Sequence, residues 1–393
     1  MKKSFLLRNF FNEVPAEVLQ RYFFDKGYLE ENSDVLDSSQ LSEILENLPQ
    51  EQKNASITDF RDMYDLFSEQ GDRAIIDAAQ TLKLENLEQF QRNLMSIDST
   101  QGRVVETFLQ FPNVFRRALD LTRIDDYPLA TWKKRTNLGH FAPRTDEMSI
   151  KGFGDAISDY FTKKQARGQR NQVEYFHRKD SDYFLVYLDD LAKKMQSWEQ
   201  QARGFVKHRP VIELIFVYNR DEGSVDFWAE KVGAVSKTMF RLFAQYILGL
   251  EQLPPAAPGA VYYIQQFKQN NDNNITLNPT YGIRSFSICE LRFKNPSINA
   301  SEVVVKSSMG NKAIYDELDV ILPEDIRSGY LVTAVRFSVF SESGRYQKVA
   351  RRFMVKNPDE CTLGYNDFDD KLRQVLRDSK VEKKADGSNY DRR

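Results

Sequence analysis

Residues 172–189 read Gln-Val-Glu-Tyr-Phe-His-Arg-Lys-Asp-Ser-Asp-Tyr-Phe-Leu-Val-Tyr-Leu-Asp, and here the chain changes its period. Gln172 to Lys179 and Asp182 to Asp189 are rich in the aromatic and β-branched residues that fit a pleated surface. The polar pair Asp180-Ser181 between them has turn chemistry, so the stretch reads as a β-hairpin. Before it, apolar residues recur at three and four; from here on, strands dominate.

Upstream, Leu7, Phe10, Phe11 and Val14 form a helical stripe, and Val18, Leu19, Tyr22 and Phe23 continue one after Pro15, up to the stop offered by Gly27. Ser56-Ile57-Thr58-Asp59 has the form of a capping box, with Ile57, Phe60, Met63, Tyr64 and Phe67 at helical spacing before Gly71. Further helices are expected between Asp72 and Leu121. From Asp125 to about Gln172 the breakers Pro128, Gly139, Pro143, Gly152 and Gly154 loosen the pattern, which reads as a connector carrying one short helix near residues 156–164.

Downstream of the hairpin, Leu191 to Arg203 reads as a helix closed by Gly204. Val211 to Tyr218 and Ser224 to Trp228 read as paired strands, and Val235 to Leu250 as an apolar helix. Pro254, Pro255 and Pro258 make a linker. Strands are then expected at 261–267, 283–293, 302–307, 331–340 and 346–355, the last two joined by the turn Ser341-Glu342-Ser343-Gly344, with a closing helix over 368–378. The expected class is α+β: an all-helical N-terminal region followed by a mainly antiparallel, hairpin-rich β region with two or three packed helices. The expected organisation is an acidic helical domain (1–130), a basic Gly/Pro-interrupted connector (131–171), an α+β domain (172–378) and a disordered charged tail (379–393).

Charge is segregated along the chain. Residues 1–130 carry 14 Lys and Arg against 23 Asp and Glu, residues 131–210 carry 16 against 10, and the rest 25 against 24. Two cysteines, Cys289 and Cys361, are too few for a disulfide framework and fit a reducing, cytoplasmic setting. Met1 to Leu7 imitates the start of an export signal, but Arg8 and Asn9 interrupt the apolar run. Uninterrupted apolar stretches such as Leu214 to Tyr218 fall far short of the roughly 20 residues a spanning helix needs. No membrane partner is expected.

Motifs for chemistry are sparse. No glycine precedes a lysine, which excludes a Walker A loop, and no G-x-S-x-G elbow occurs. Lys151-Gly152-Phe153-Gly154 is half of a dinucleotide fingerprint without its strand. His140, His177 and His208 are too dispersed for a metal signature, so neither metal nor cofactor is expected. The carboxylate pairs Asp125-Asp126, Asp189-Asp190 and Asp369-Asp370 read as helix-start charges. Glu213 and Asp226, beside a hairpin, are the pair that a metal site would recruit.

What remains is basic and aromatic. Lys163, Lys164, Arg167 and Arg170 lie within eight residues, next to Tyr160 and to a strand carrying Tyr175, Arg178 and Lys179. Cations neutralise phosphates and exposed rings stack on bases, a combination suited to single-stranded nucleic acid. Lys133-Lys134-Arg135 and Lys207-His208-Arg209 add to the basic character. The competing structural reading is a solvated loop beside a core whose rings point inward. The expectation is a non-catalytic binding subunit contacting nucleic acid, a partner protein or a second copy of itself, with a bacterial genome-defence assembly as one setting for such a subunit. The alternative is an enzyme, a metal-dependent nuclease or other hydrolase, whose ligands are dispersed in sequence and converge in one deep pocket.

Overall fold

The computed structural model describes residues 5–30, 34–125, 131–199, 202–230, 235–271, 274–298, 302–341 and 350–383. The chain divides into two compact units, one of residues 1–127 with 364–366, the other of residues 128–363 with 367–393. The class is α+β.

The first unit is helical: α1 (Leu7–Glu13), α2 (Ala16–Asp25), α3 (Ser38–Asn47), α4 (Gln50–Tyr64), α5 (Glu69–Thr81), α6 (Leu87–Met95), α7 (Thr100–Gln110) and α8 (Pro112–Asp125). Its core is aromatic, with Phe10 stacked on Phe60 at 4.5 Å and Tyr22 and Phe23 beside them. Asp37 and Gln40 form the capping box at the start of α3, and Ser68 and Ser99 cap α5 and α7. Ser56 is not a cap. α4 starts at Gln50 after Pro49, and Ser56 lies buried inside it. Gly71 is not a stop either: it lies in the first turn of α5, where a Cβ would meet the Leu66 carbonyl oxygen at 1.9 Å.

The second unit is built on a ten-stranded, fully antiparallel sheet in the order β2-β3-β6-β7-β1-β12-β11-β10-β8-β9. Its members are β1 (Trp132–Arg135), β2 (Asn171–Arg178), β3 (Ser181–Asp189), β6 (Val211–Asn219), β7 (Ser224–Ala229), β8 (Ile283–Lys294), β9 (Glu302–Lys306), β10 (Leu331–Ser341), β11 (Ala350–Lys356) and β12 (Glu360–Cys361). The β2–β3 hairpin has the expected register, Tyr175 opposite Phe184 and His177 opposite Asp182.

One half of the sheet packs on α9 (Glu147–Gln165) and α10 (Ser236–Tyr246) through Phe153, Phe184, Phe216 and Phe243. The Phe216 and Phe243 rings are stacked at 5.4 Å. The other half packs on α11 (Asn311–Ile321), which the short α12 (Glu324–Arg327) follows, and on α13 (Asp367–Asp378), with Leu291, Val335, Phe337, Ile314 and Leu376 in its core.

Several expectations give way here. The segment 131–171 is no loose connector: it supplies β1, which lies between β7 and β12 and joins the sheet's halves, and the 19-residue α9. Residues 261–267 form no strand. Tyr262 makes a single bridge to Glu382 and a 3-10 turn follows at Gln265–Lys268. α11 was not foreseen. The tail expected from 379 starts with packed residues, Val381 and Glu382 being buried, and residues 384–393 lie outside the described residues. So does the turn at 342–344.

Candidate nucleic-acid interface

β3 and β6 remain paired out to the last residue of β3 and the first of β6, Asp189 opposite Val211. The segment between them therefore leaves the sheet as two antiparallel chains already in reach of one another. They continue as a two-stranded ribbon, β4 (Lys193–Glu199) and β5 (Ala202–His208), separate from the main sheet. This overturns the helix expected over 191–203. Leu191, Met195 and Trp198 are spaced for a helix, but pairing inherited from β3 and β6 outweighs that local preference.

The ribbon register sorts its side chains into two faces, because directly opposed residues share a face. Lys194 faces Lys207, Gln196 faces Phe205 and Trp198 faces Arg203. One face thus carries three cations, two aromatic rings and an amide. Trp198 is 73% exposed and Phe205 65%. Lys194, Arg203 and Lys207 make no ion pair with any described carboxylate. The opposite face pairs Met195 with Val206 and Lys193 with His208. A two-stranded ribbon exposed on both sides has no core of its own, so its apolar groups contribute little to folding, and exposed apolar groups of this size mark interaction surfaces.

The root of the arm is pinned by charge. Asp190 accepts from Arg167 at 3.2 Å and pairs with Lys193 at 3.4 Å, and Asp189 pairs with Arg209 at 2.8 Å. The Arg170 backbone N–H and the Arg209 guanidinium hold the Asp189 carboxyl below its ordinary range; Asp190 is lowered too, because the Leu191 N–H, Arg167 and Lys193 outweigh its burial. Asp189-Asp190 is therefore an anchor for the ribbon, not a helix-start pair. Asp369 and Asp370 do lie in the first turn of α13, as expected, and Asp369 is also buried against Arg351.

The eight residues singled out in the sequence fall at two ends of β2. Tyr160, Lys163, Lys164, Arg167 and Arg170 lie at the arm end, in α9 and the loop after it. That loop bonds to the arm root through the Gly168 N–H on the Asp189 carbonyl at 2.8 Å. Lys163 and Lys164 occupy the last turn of α9, where cations suit the helix dipole; Lys163 pairs with Asp159. Arg167 lies over the Phe161 ring, Arg170 is exposed, and Tyr160 is half-buried against the core.

Tyr175, Arg178 and Lys179 lie toward the far end of the eight-residue β2, which spans on the order of 25 Å. Arg178 is buried, and the Lys179 ammonium is held by Asp367 and Asp370, each at 2.8 Å. The Tyr175 hydroxyl donates to Asp182 at 2.9 Å. Burial and that carboxylate push the phenol up to about 12. His177 Nδ1 bonds to the same Asp182 oxygen at 3.0 Å, and these three residues line a polar cavity of about 350 Å3 with Arg220, Asp180 and Asp221. Lys133-Lys134-Arg135 is withdrawn into the sheet as β1. Lys134 is buried, with Glu382 at 2.6 Å and Glu222 at 2.8 Å.

Among the described residues no group of three or more His, Cys, Asp or Glu is arranged to hold a metal ion. Glu213 and Asp226 do not meet: Asp226 opposes Val217, four residues along β6 from Glu213 and on the order of 13 Å away. Gly152 and Gly154 lie inside α9; a Cβ on Gly154 would meet the Asn171 amide oxygen at 2.4 Å, so close packing of helix on strand explains that glycine. Among the described residues no helix is long and apolar enough to cross a membrane.

Sequence reasoning missed Trp198, Phe205, Lys194 and Arg203. Their signal was the period-two placement of Lys194, Gln196 and Trp198, mirrored by Arg203, Phe205 and Lys207. No protein-family model matches the chain, and no curated protein is similar to it in sequence.

Proposed function

We propose that this chain is a non-catalytic binding subunit that engages single-stranded nucleic acid through the β4–β5 arm and the adjoining basic segment at 163–170, the end of α9 and the loop after it. The observation that carries this reading is one ribbon face on which Trp198 and Phe205 stand exposed among Lys194, Arg203 and Lys207. Rings offer stacking to any base, and the cations offer charge to the phosphates between them. Free cysteines at 289 and 361 favour a reducing, cytoplasmic setting. The other ribbon face, with Met195 and Val206 exposed, favours a partner protein or a second copy as a further contact.

The test is binding of single-stranded DNA and RNA as a function of salt, with a log–log slope near −0.7 per phosphate neutralised. The triple variant K194E/R203E/K207E removes the binding at physiological salt and leaves the circular dichroism spectrum unchanged, since exposed charges add little to stability. Absence of binding by the unmodified chain at low salt, or undiminished binding by the variant, refutes the reading.

A further inference from the structure

The half of the sheet made by β11, β10, β8 and β9 buries one face on α11 and α13 and turns the other away from that core. Register aligns the outer face into rows. Met354, Arg336, Glu290 and Lys306 form one; Lys356, Ala334, Arg292 and Val304 form the next, and Arg352, Ser338 and Ser287 a third.

At the centre stands Glu290, whose side chain is only 5% exposed. It draws in Arg292 at 2.7 Å, Arg336 at 3.3 Å and Lys306 at 3.9 Å. A buried carboxylate needs a cationic partner, and Arg292 alone supplies one at hydrogen-bond distance. Arg336 and Lys306 are shared, with 40% and 66% of their side chains still in solvent. Arg352 is exposed and pairs with no described carboxylate. Three cations thus converge on one acid, and Arg352 adds a fourth, unpaired, in a neighbouring row. In folding terms the surplus is unfavourable, because like charges at cross-strand spacing repel. An external anion with several charges in a row removes that repulsion and gains counterion release.

We propose that this face is a second phosphate-binding surface, holding the backbone of the strand whose bases stack on the arm. It rests on the nucleic-acid reading above but on different residues. It lacks exposed aromatic rings, so it contributes charge without base stacking.

The experiment uses the full chain with oligodeoxythymidine and oligouridine. The variant K306Q/R336Q/R352Q keeps Arg292, and with it the nearest partner of Glu290. Its log–log salt slope becomes shallower by about 2, three cations at roughly 0.7 each, and affinity at physiological salt falls at least tenfold. Quenching of Trp198 fluorescence on binding at low salt persists. Should the triple variant lose its near-ultraviolet dichroism, K306Q/R352Q, which leaves both arginines nearest Glu290 in place, is expected to change the slope by about 1. An unchanged slope in a folded variant overturns the proposal, even where the arm variant abolishes binding. Equal competition by poly-glutamate overturns it in favour of a generic acidic partner, and no binding by the unmodified chain removes both readings.

Discussion

Changing Glu222 to glutamine isolates the charge cluster that ties β1 to the C-terminal segment. The Lys134 ammonium, on β1, lies 2.6 Å from Glu382 and 2.8 Å from Glu222, and Arg377 pairs with Glu222 from the opposite side. Burial alone would raise the Glu222 carboxyl, but Lys134 and Arg377 outweigh it and hold it at about 2 instead of the ordinary 4.5. At about 1.36 kcal/mol for each pH unit, that difference is roughly 3 kcal/mol of folding stability. Lys134 is held above its ordinary range, because Glu382 and Glu222 outweigh its burial; this is the same attraction seen from the ammonium and is counted once.

The sign follows from the lowered value. A carboxyl depressed in the folded state contributes fully above its unfolded pKa, here near 4.5, and loses that contribution as pH falls toward 2. The stability difference between the unmodified chain and E222Q is therefore greatest near neutrality and shrinks by roughly 3 kcal/mol by about pH 2. Urea unfolding followed by tryptophan fluorescence reads the right unit, since Trp132 and Trp228 are both buried in it. K134M, which leaves two buried carboxylates short of a cation, is expected to cost about 3 to 5 kcal/mol at neutral pH. A pH-independent gap between the unmodified chain and E222Q would refute the account of Glu222.

Two other outcomes are expected. Phe216→Ala or Phe243→Ala, each removing a fully buried ring from the stacked pair, costs about 3 to 5 kcal/mol in denaturant unfolding, and a loss under about 1 kcal/mol in both would show the core to be elsewhere. Tyr175 is held up to about 12 by burial and by Asp182, so D182N brings its ionisation, followed by carbon-13 resonances of labelled tyrosine, back toward 10, and an unmoved midpoint excludes Asp182 as a cause.

Where the sequence was legible, the forces were local. The β2–β3 hairpin, β6, β7, α10, β8, β9, β10 and α13 carry apolar patterns of strand or helix type that can be read one segment at a time. What could not be read depended on distant pairing. β1 is four residues of Trp-Lys-Lys-Arg, polar enough to pass for a loop, and it is a strand because β7 and β12 leave a gap that it fills. The arm was read as a helix because Leu191, Met195 and Trp198 satisfy that spacing, while the pairing of β3 with β6 that decides the matter is a relation between segments. Glu382 looked like the start of a charged tail, and its burial is explained by Lys134, 248 residues away, together with Arg377.

Folding also filters charge, and the filter redirects the search for a site. The basic stretch at 131–210 looked uniform, but the sheet disposes of its cations in different ways. Lys134 is neutralised in the interior, Arg178 is buried, Lys179 is held by two carboxylates and Arg167 and Arg209 secure the arm root. Lys194, Arg203 and Lys207 are left without a described carboxylate, and they share one face with the two most exposed rings of the ribbon. Uncompensated charge beside exposed aromatic surface has no core on this ribbon to offset it, and that is the feature on which the proposed nucleic-acid reading rests.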